Sequence, residues 1–335
     1  MTVSDALLTV VFCAGAALSL AASYLLVSRL ERVGARFGLT EAALGMLAAL
    51  AADAPEITAA VTALISGDSR IGAGVVIGSN AFNLAALLGL AALVAGRIAL
   101  HRRVIVMEGV VALWIAGVCV AVVVGALSAA AGLAIALAVF LPYLLLLATP
   151  HERLTRLGLP PAWSSWLASA IAEEEAELEP AIHPQRGRRR DSAEALLAVA
   201  VVVGASVAME RSASTLGARA AVPEIVIGGL VLACVTSLPN AVAAVYLARR
   251  GRGTATLSTA TNSNALNVVA GLLLPGVILG LGGSSTPSTL IAVWYLGMTA
   301  LAMVCAYAGR GLNRASGTLI IATYLSLAVV LVAVA

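Results

Sequence analysis

The chain has 335 residues, of which 61% are hydrophobic and only 11% are charged, with a formal net charge of +3. Its mean hydropathy of +1.02 excludes an ordinary soluble domain and is typical of a protein that crosses a membrane several times. The small positive charge gives no indication of nucleic-acid binding. Each of the four cysteines lies within an apolar run, and no metal or redox spacing is present, so we expect buried hydrophobic side chains.

Apolar runs long enough to span a bilayer, about 20 residues each, recur along the whole chain. We expect spans near 6–28, 41–66, 71–95, 104–125, 129–148, 193–213, 224–248, 255–280, 288–308 and 315–335. The fourth and fifth runs are separated by only a few residues. The first run has no basic segment before it, which favours a span over a cleaved signal. The predicted fold is an all-α polytopic membrane protein with ten transmembrane helices.

Arginines mark the orientation of the predicted spans. The chain has 20 basic residues, all arginines, and seventeen of them lie in odd-numbered loops. Because basic loops remain in the cytoplasm, both termini are predicted outside and the longest loop, 150–192, inside, in a bacterial plasma membrane. This loop carries an acidic run, EEEAELE, and a basic run, RGRRR. We expect a solvated linker there, with a regulatory role as the alternative.

Two segments, 45–90 and 229–274, align without a gap at a constant offset. The alignment pairs a mid-span proline with a mid-span proline and one S-N-x-x-N motif with another. Because five spans separate the copies, they cross the membrane in opposite directions, as in secondary transporters that bind substrate at the midplane between inverted repeats. The expected organisation is two inverted five-helix repeats, 1–149 and 193–335, joined by the 150–192 linker.

The prolines, Pro55 and Pro239, deprive an earlier carbonyl of its helical hydrogen bond, at Ala51 and at Val235. Unpaired backbone is tolerated inside a membrane where it lines a cavity. A freed carbonyl beside a carboxylate forms a hard-oxygen site suited to Na⁺ or Ca²⁺.

Two carboxylates accompany the first break. Asp53 and Glu56 lie three residues apart, so an intact helix would place them on one face. An acid at this depth is by default a functional hypothesis. The alternative is a protonated pair that is hydrogen-bonded between helices. Three other acids, Glu108, Glu210 and Glu224, lie near predicted helix ends and are expected to reach the interface.

The following span of each repeat carries amides, Asn80 with Asn83 and Asn264 with Asn267. Asparagine and serine in membrane helices often serve only to join helices. The matching position of these amides after a proline break in both repeats favours a binding role.

At these motifs the chain resembles the calcium/cation antiporters, which include sodium/calcium exchangers. Each repeat of that family carries a G-T-S-x-P-E-like break followed by G-S-N-x-x-N, and this chain reads AADAPE…GSNAFN and VTSLPN…NSNALN. The resemblance implies antiport of Ca²⁺ against Na⁺ or H⁺ by alternating access. It implies inorganic cations as substrates, and neither an enzyme activity, a cofactor nor an obligatory protein partner. The implied ligands are Glu56, Asp53, Asn80, Asn83, Asn240, Asn264, Asn267, Ser79, Ser237, Ser263, Thr236, Ala51 and Val235.

The chain departs from the family pattern in its acids. Asn240 stands where members usually carry an acid, and Asn264 where some prokaryotic members do. Both carboxylates, Asp53 and Glu56, therefore come from the first repeat. They match the charge of one Ca²⁺, but nearby carboxylates resist ionising together, which favours proton coupling.

Three alternatives remain. A monovalent Na⁺/H⁺ exchanger is favoured by the neutral Asn240. A non-transporting relative is also open, although both breaks and the paired asparagines are retained. An intramembrane enzyme would need a further aspartate or a Ser/His pair within the spans, and the histidines His101, His151 and His183 all lie in predicted loops.

Overall fold

The computed structural model describes residues 4–37, 49–149, 160–178 and 188–335. Helices dominate because only internal hydrogen bonding satisfies a backbone in lipid. In chain order the elements are α1 (Asp5–Arg36), α2 (Ala54–Ser66), α3 (Ser69–Ala95), β1 (Arg97–Ala99), α4 (Arg102–Val123), α5 (Ala129–Leu147), α6 (Pro161–Leu178), α7 (Arg189–Arg219), α8 (Glu224–Thr236), α9 (Leu238–Arg249), α10 (Gly253–Leu279), α11 (Thr286–Gly309), β2 (Gly311–Asn313) and α12 (Arg314–Val334).

Within the described ranges, eight helices are individually long and apolar enough to cross a membrane. Helices α8 and α9, which meet at a bend of 47°, are together long and apolar enough for a further span. The second predicted span is represented by α2 and the helical residues 49–52, and its beginning lies outside the described residues. The architecture is therefore that of an all-α polytopic membrane protein, consistent with ten spans. The closely spaced fourth and fifth spans are confirmed as separate helices, α4 and α5.

The loops sort onto two faces, as the odd and even numbering predicts. After α3 and after α11 the chain forms β1 and β2, which pair antiparallel with Ile98 opposite Leu312. At the other face, Ser69, Gly125 and Gly282 come from three different loop regions and line one small pocket. Alternate loops thus meet, which requires the intervening helices to cross from face to face.

The long helices α1 and α7 pack against each other in opposite directions. Arg219, near the end of α7, pairs with Asp5 at the start of α1. At the other end, Nε of Arg29 lies 2.5 Å from Oε2 of Glu194. These helices begin the two predicted repeats, so their opposite directions agree with an inverted arrangement.

Glycines bring α3 and α8 into backbone contact. A Cβ at Gly78 would lie 2.2 Å from the carbonyl oxygen of Gly229, and one at Gly228 would lie 2.3 Å from that of Ile71. Small residues allow membrane helices to approach this closely. This crossing fixes α3, one of the two asparagine-bearing helices, against the second repeat.

The linker is not wholly a solvated loop, which corrects that expectation. It contains α6, which packs against α4 and α10. Ala170 and Ile171 of α6 are fully buried. Most of the acidic and basic runs of the linker lies outside the residues whose side chains the structure describes.

Candidate cation-binding site

The two helix breaks have the same local geometry. Asp53 precedes α2 with φ −82° and ψ −6°, and Ser237 precedes α9 with φ −85° and ψ −1°. Each is followed two residues later by a proline, Pro55 or Pro239, which has no N–H to donate to the preceding turn. A new helix starts at each break, so the polar residue before it is held at the junction of two helical segments.

Each break is hydrogen-bonded to the break of the other repeat. Asn240 donates through Nδ2 to Oδ1 of Asp53 at 2.7 Å, and Ser237 donates through Oγ to Oε1 of Glu56 at 2.5 Å. In the repeat alignment Ser237 corresponds to Asp53 and Asn240 to Glu56. The same pair of alignment positions is thus in contact twice, with the roles of the two repeats exchanged. All four side chains are at most 1% exposed.

The asparagines of α3 and α10 repeat this reciprocity. Asn80 donates to the backbone carbonyl of Asn264 at 3.0 Å, and Asn264 donates to that of Asn80 at 3.1 Å. Asn83 donates to the side-chain oxygen of Asn264 at 3.1 Å, and Asn267 to that of Asn80 at 3.2 Å. These amides form a reciprocal joint between the two repeats, in which all four amide nitrogens donate across the joint.

Directly after this joint both helices widen into π-helix, over Leu84–Leu90 in α3 and Asn267–Leu273 in α10. Such segments are frequent at functional sites, because the wider turn changes the direction in which carbonyls and side chains point. Here they occur at matching positions of the two repeats.

Five buried oxygens around these contacts have no hydrogen-bond partner among the described residues. They are Oδ2 of Asp53, Oε2 of Glu56, Oδ1 of Asn83, Oγ of Ser263 and Oδ1 of Asn267. Ser263 lies beside Asp53, and Asn267 lies beside Glu56, which in turn interacts with Asp53. Buried polar atoms rarely lack partners, so a group of them without protein partners indicates a place where a ligand can bind.

The chemistry of this oxygen set fits a hard cation. Carboxylate, amide and hydroxyl oxygens are the ligands that Ca²⁺ prefers, whereas nitrogen and sulfur ligands select transition metals. In the part of the chain that the structure describes, no group of three or more His, Cys, Asp or Glu side chains is placed to hold a metal. The site therefore depends on two acids supplemented by neutral oxygens.

Four of the predicted ligands are otherwise engaged. The Ala51 carbonyl accepts a hydrogen bond from Ser23 of α1 at 3.0 Å. The hydroxyls of Ser79 and Thr236 donate within their own helices, to Val76 at 3.0 Å and to Leu232 at 2.9 Å. The carbonyl of Val235, the fourth of these ligands, accepts from the N–H of Ser237, which is shared with the carbonyl of Ala233. The roles of these four in cation binding, like those of the other predicted ligands, stay predictions.

Sequence reasoning misplaced two acids. Glu108 and Glu210 were expected to reach the interface, but each is only 1% exposed. Glu108 accepts hydrogen bonds from Tyr143, Ser258 and Thr261, which belong to α5 and α10. Glu224 is exposed as expected. A signal for Glu108 was present in the unusually polar sequence of α10, STATNSN, which implies polar partners on neighbouring helices.

The sodium/calcium exchanger protein family matches residues 7–150 and 194–333, which is most of the chain. The chain therefore belongs to this family of transporters and is an integral membrane protein. The putative antiporter CaxA of Alkalimonas amylolytica is 34% identical over 88 residues. That match covers 26% of this chain and 28% of the length of that relative.

Solved structures establish the fold independently. The H⁺/Ca²⁺ exchanger CAX superimposes with a TM-score of 0.71 at 13% identity, covering 97% of this chain and 85% of that one. The sodium-calcium exchanger NCX_Mj, soaked with Na⁺ and Sr²⁺, gives 0.61 at 19% identity, with coverage of 96% and 98%. Native YfkE gives 0.59 at 16% identity, with coverage of 97% and 99%. At these identities the similarity concerns the fold alone.

Proposed function

We propose that the protein is a secondary antiporter that exchanges Ca²⁺ for Na⁺ or H⁺ by alternating access. The cation binds between the two breaks, at the carboxylates of Asp53 and Glu56 and the neighbouring oxygens of Asn83, Ser263 and Asn267. Family membership supports cation antiport, and the structural relatives include exchangers of both coupling types.

The observation that carries this proposal is the group of five unpartnered buried oxygens. Leaving a buried polar atom without a partner costs about 1–3 kcal/mol, and more for a charged group. Such a cost at several adjacent atoms is accounted for if a cation occupies the space between them during the transport cycle. The two carboxylates then neutralise a divalent ion, which is otherwise costly to hold inside a membrane.

Reciprocal contacts between the repeats supply a route to alternating access. Asp53 and Glu56 are each held by the opposite repeat, through Asn240 and Ser237. A displacement of one repeat relative to the other must break or remake both contacts together. An exchanger requires two symmetry-related arrangements of comparable energy, because the protein must change its orientation with either transported ion bound, whereas the empty form must not.

Flux measurements test this proposal. Purified protein in sealed vesicles should take up radiolabelled Ca²⁺ when an opposing Na⁺ or H⁺ gradient is imposed, and each gradient is applied alone. Uptake that is driven by one gradient identifies the counter-ion. Uptake with neither gradient, at the same Ca²⁺ concentration and with empty vesicles as the control, would contradict secondary antiport.

Monovalent exchange is the second candidate, favoured by the neutral side chains at Asn240 and Asn264. Radiolabelled Na⁺ uptake driven by a pH gradient, without Ca²⁺ transport in the same vesicles, would replace the calcium proposal. We further propose that the protein lies in a bacterial plasma membrane with the face of β1 and β2 in the cytoplasm. Cysteine labelling of introduced positions on the two faces tests that orientation.

A further inference from the structure

Another buried acid, Glu108, lies outside the proposed cation site. Glu108 of α4 lies about 9 Å along the helix from its first residue, Arg102. Its carboxyl is enclosed by α5 and α10. Oε1 contacts Oη of Tyr143 at 2.8 Å and Oγ of Ser258 at 3.0 Å, while Oε2 accepts from Thr261 at 2.5 Å.

These groups close into a ring, here called the Glu108 ring: Glu108, Tyr143, Asn262 and Ser258. Tyr143 Oη lies 2.8 Å from Glu108 and 2.9 Å from Oδ1 of Asn262. Nδ2 of Asn262 lies 3.0 Å from Oγ of Ser258, which in turn lies 3.0 Å from Oε1 of Glu108. Four contacts at hydrogen-bond distance thus join three helices.

The ring needs one proton more than its neutral donors supply. Tyr143 and Ser258 each have one hydroxyl proton, and the amide of Asn262 can donate to only one of its two ring neighbours. If the side-chain amide of Asn262 is turned so that its oxygen and nitrogen change places, a different contact lacks a hydrogen, but one contact still lacks it. Three protons therefore serve four contacts unless Oε1 of Glu108 is itself protonated.

With that proton in place the ring closes in one direction. Glu108 donates to Tyr143, Tyr143 to Asn262, Asn262 to Ser258, and Ser258 back to Oε1 of Glu108. Without it, Tyr143 and Ser258 both turn to the carboxylate, because charged acceptors form the stronger hydrogen bonds. Oδ1 of Asn262 then faces Oη of Tyr143 with no hydrogen between the two oxygens, so this contact becomes repulsive.

No charged neighbour in the described structure takes the place of this proton. From α5 the facing titratable group is Tyr143, and α10 contributes hydroxyls and an amide. On α6 the carboxyl of Glu173 lies 3.9 Å from His101. On α11, Tyr307 lies beneath Arg102. The hydrogen bonds of the Glu108 carboxyl are instead made with the hydroxyls of Tyr143, Ser258 and Thr261.

The ring is linked to the cation site through α10. Asn262, whose contact lacks a hydrogen, directly precedes Ser263 of the proposed cation site and Asn264, which pairs with Asn80 and Asn83. The first repeat has no such ring, since the residues matching Ser258, Thr261 and Asn262 are glycine, isoleucine and glycine. The second repeat thus lacks an acid at its break, but its asparagine-bearing helix, α10, contacts an acid of the first repeat, Glu108.

We propose that the Glu108 ring is a proton-binding site, distinct from the cation site, whose protonation state shifts α10 and so couples H⁺ to cation transport. On release, the O–H bond of Glu108 breaks and the proton passes to water, leaving the carboxylate to Tyr143 and Ser258. This inference rests on the proposed antiport function for its coupling, but the proton site itself can be tested without transport.

Infrared spectroscopy provides that test on the purified, cation-free protein. The wild type should show a carbonyl stretching band of a protonated carboxyl that disappears as the pH is raised, and Glu108→Gln should lack this component. Glu210→Gln is the matched control, because it removes another buried acid away from the ring and should leave the component in place. A Glu108→Gln spectrum that retains every protonated carboxyl component would overturn the proposal.

A second variant guards against failure of Glu108→Gln to fold. Tyr143→Phe removes the acceptor of the Glu108 proton, so the band should persist but move in frequency. An unmoved band would show that Tyr143 does not receive a proton from Glu108 and would also overturn the ring.

Coupling is tested in vesicles that contain a pH-sensitive dye. Glu108→Gln should release fewer protons per cation taken up than the wild type, with unchanged cation affinity at high pH. Equal proton release would overturn the coupling. If the wild type itself moves no cation, the antiport function fails, while the infrared result still decides whether Glu108 binds a proton.

Discussion

Two clusters of buried acids, at the first helix break and on α4, both adjoin polar residues of α10 and differ in how completely they are paired. In the cation site, one oxygen of each of Asp53 and Glu56 lacks a partner among the described residues. In the Glu108 ring, both carboxyl oxygens have hydroxyl partners. Both clusters are at most 1% exposed at their acids, so solvent access does not account for the difference.

The difference indicates which ion each cluster is built to bind. A proton completes hydrogen bonds between oxygens that are already at bonding distance, as in the Glu108 ring. A larger cation needs oxygens that converge without bonding one another, because each must give a lone pair to the ion. A cation site therefore contains oxygens without protein partners, and the cation site described above has five of them, whereas the Glu108 carboxyl has none.

The largest expected effect is at the cation site itself. Glu56→Gln keeps the size and the acceptor for Ser237 but removes a charge beside the ion. One unit charge at about 4 Å from another contributes about 4 kcal/mol at an effective dielectric constant near 20, so cation affinity should fall at least about a thousandfold. Exchange should be abolished, as measured by Ca²⁺ uptake, while the protein still elutes as a folded species.

The matched control for that substitution is Glu224→Gln, which alters an exposed acid. It should transport like the wild type. Near wild-type transport by Glu56→Gln as well would place the cation elsewhere.

Asp53→Asn should have the next largest effect and should also change the response to pH. In the wild type the two acids ionise together only when a cation neutralises them, so protons compete with the cation and affinity falls as the pH drops. With one carboxylate left, affinity for a divalent ion should be about a hundredfold lower and nearly independent of pH. Cation binding to purified protein at several pH values measures both quantities. If the pH dependence were the same in both proteins, Asp53 would be a structural acid.

Substitutions of Asn264 and Asn262, two residues apart on α10, test most directly whether the two clusters act independently. Asn264→Ala removes the amide that pairs with Asn80 and Asn83, at a cost of about 1–3 kcal/mol, and should lower cation affinity about tenfold to a hundredfold. Asn262→Ala opens the Glu108 ring instead and should leave the affinity at high pH within about twofold while altering its pH dependence. Calorimetric titration of both variants makes the comparison. Equal losses of affinity at every pH would mean that the two clusters act as one site.

The smallest expected effect comes from restoring the family pattern with Asn240→Glu. Asn240 contacts Asp53 at 2.7 Å, so a third carboxylate there would adjoin an existing one. Mutual repulsion makes simultaneous ionisation harder, and the pH optimum of transport should move upward with an altered preference between Ca²⁺ and Na⁺. Transport rates across a pH series measure this shift. An unchanged profile would show that residue 240 does not act on the transported ion.

Much of the fold follows from the sequence because lipid imposes strict local rules. Apolar runs of membrane length must be helical, and arginine-rich loops must alternate in position, so the helices and the two faces could be predicted without tertiary contacts. The alignment of Pro55 with Pro239, and of the asparagine motifs, predicted which segments correspond. Family membership is confirmed on the same grounds.

Only the tertiary structure decided which polar atoms meet. Sequence position gave Glu108 as a residue near a helix end, but α5 and α10 cover it and complete its hydrogen bonds. Likewise, the carbonyl of Ala51 is freed by Pro55 as predicted, yet Ser23 from α1 occupies it. Such partners come from helices distant in the chain, and a side chain's pairing depends on the rotation and depth of both helices. A linear pattern identifies the oxygens that lack a local partner, whereas packing determines which of them remain open to an ion.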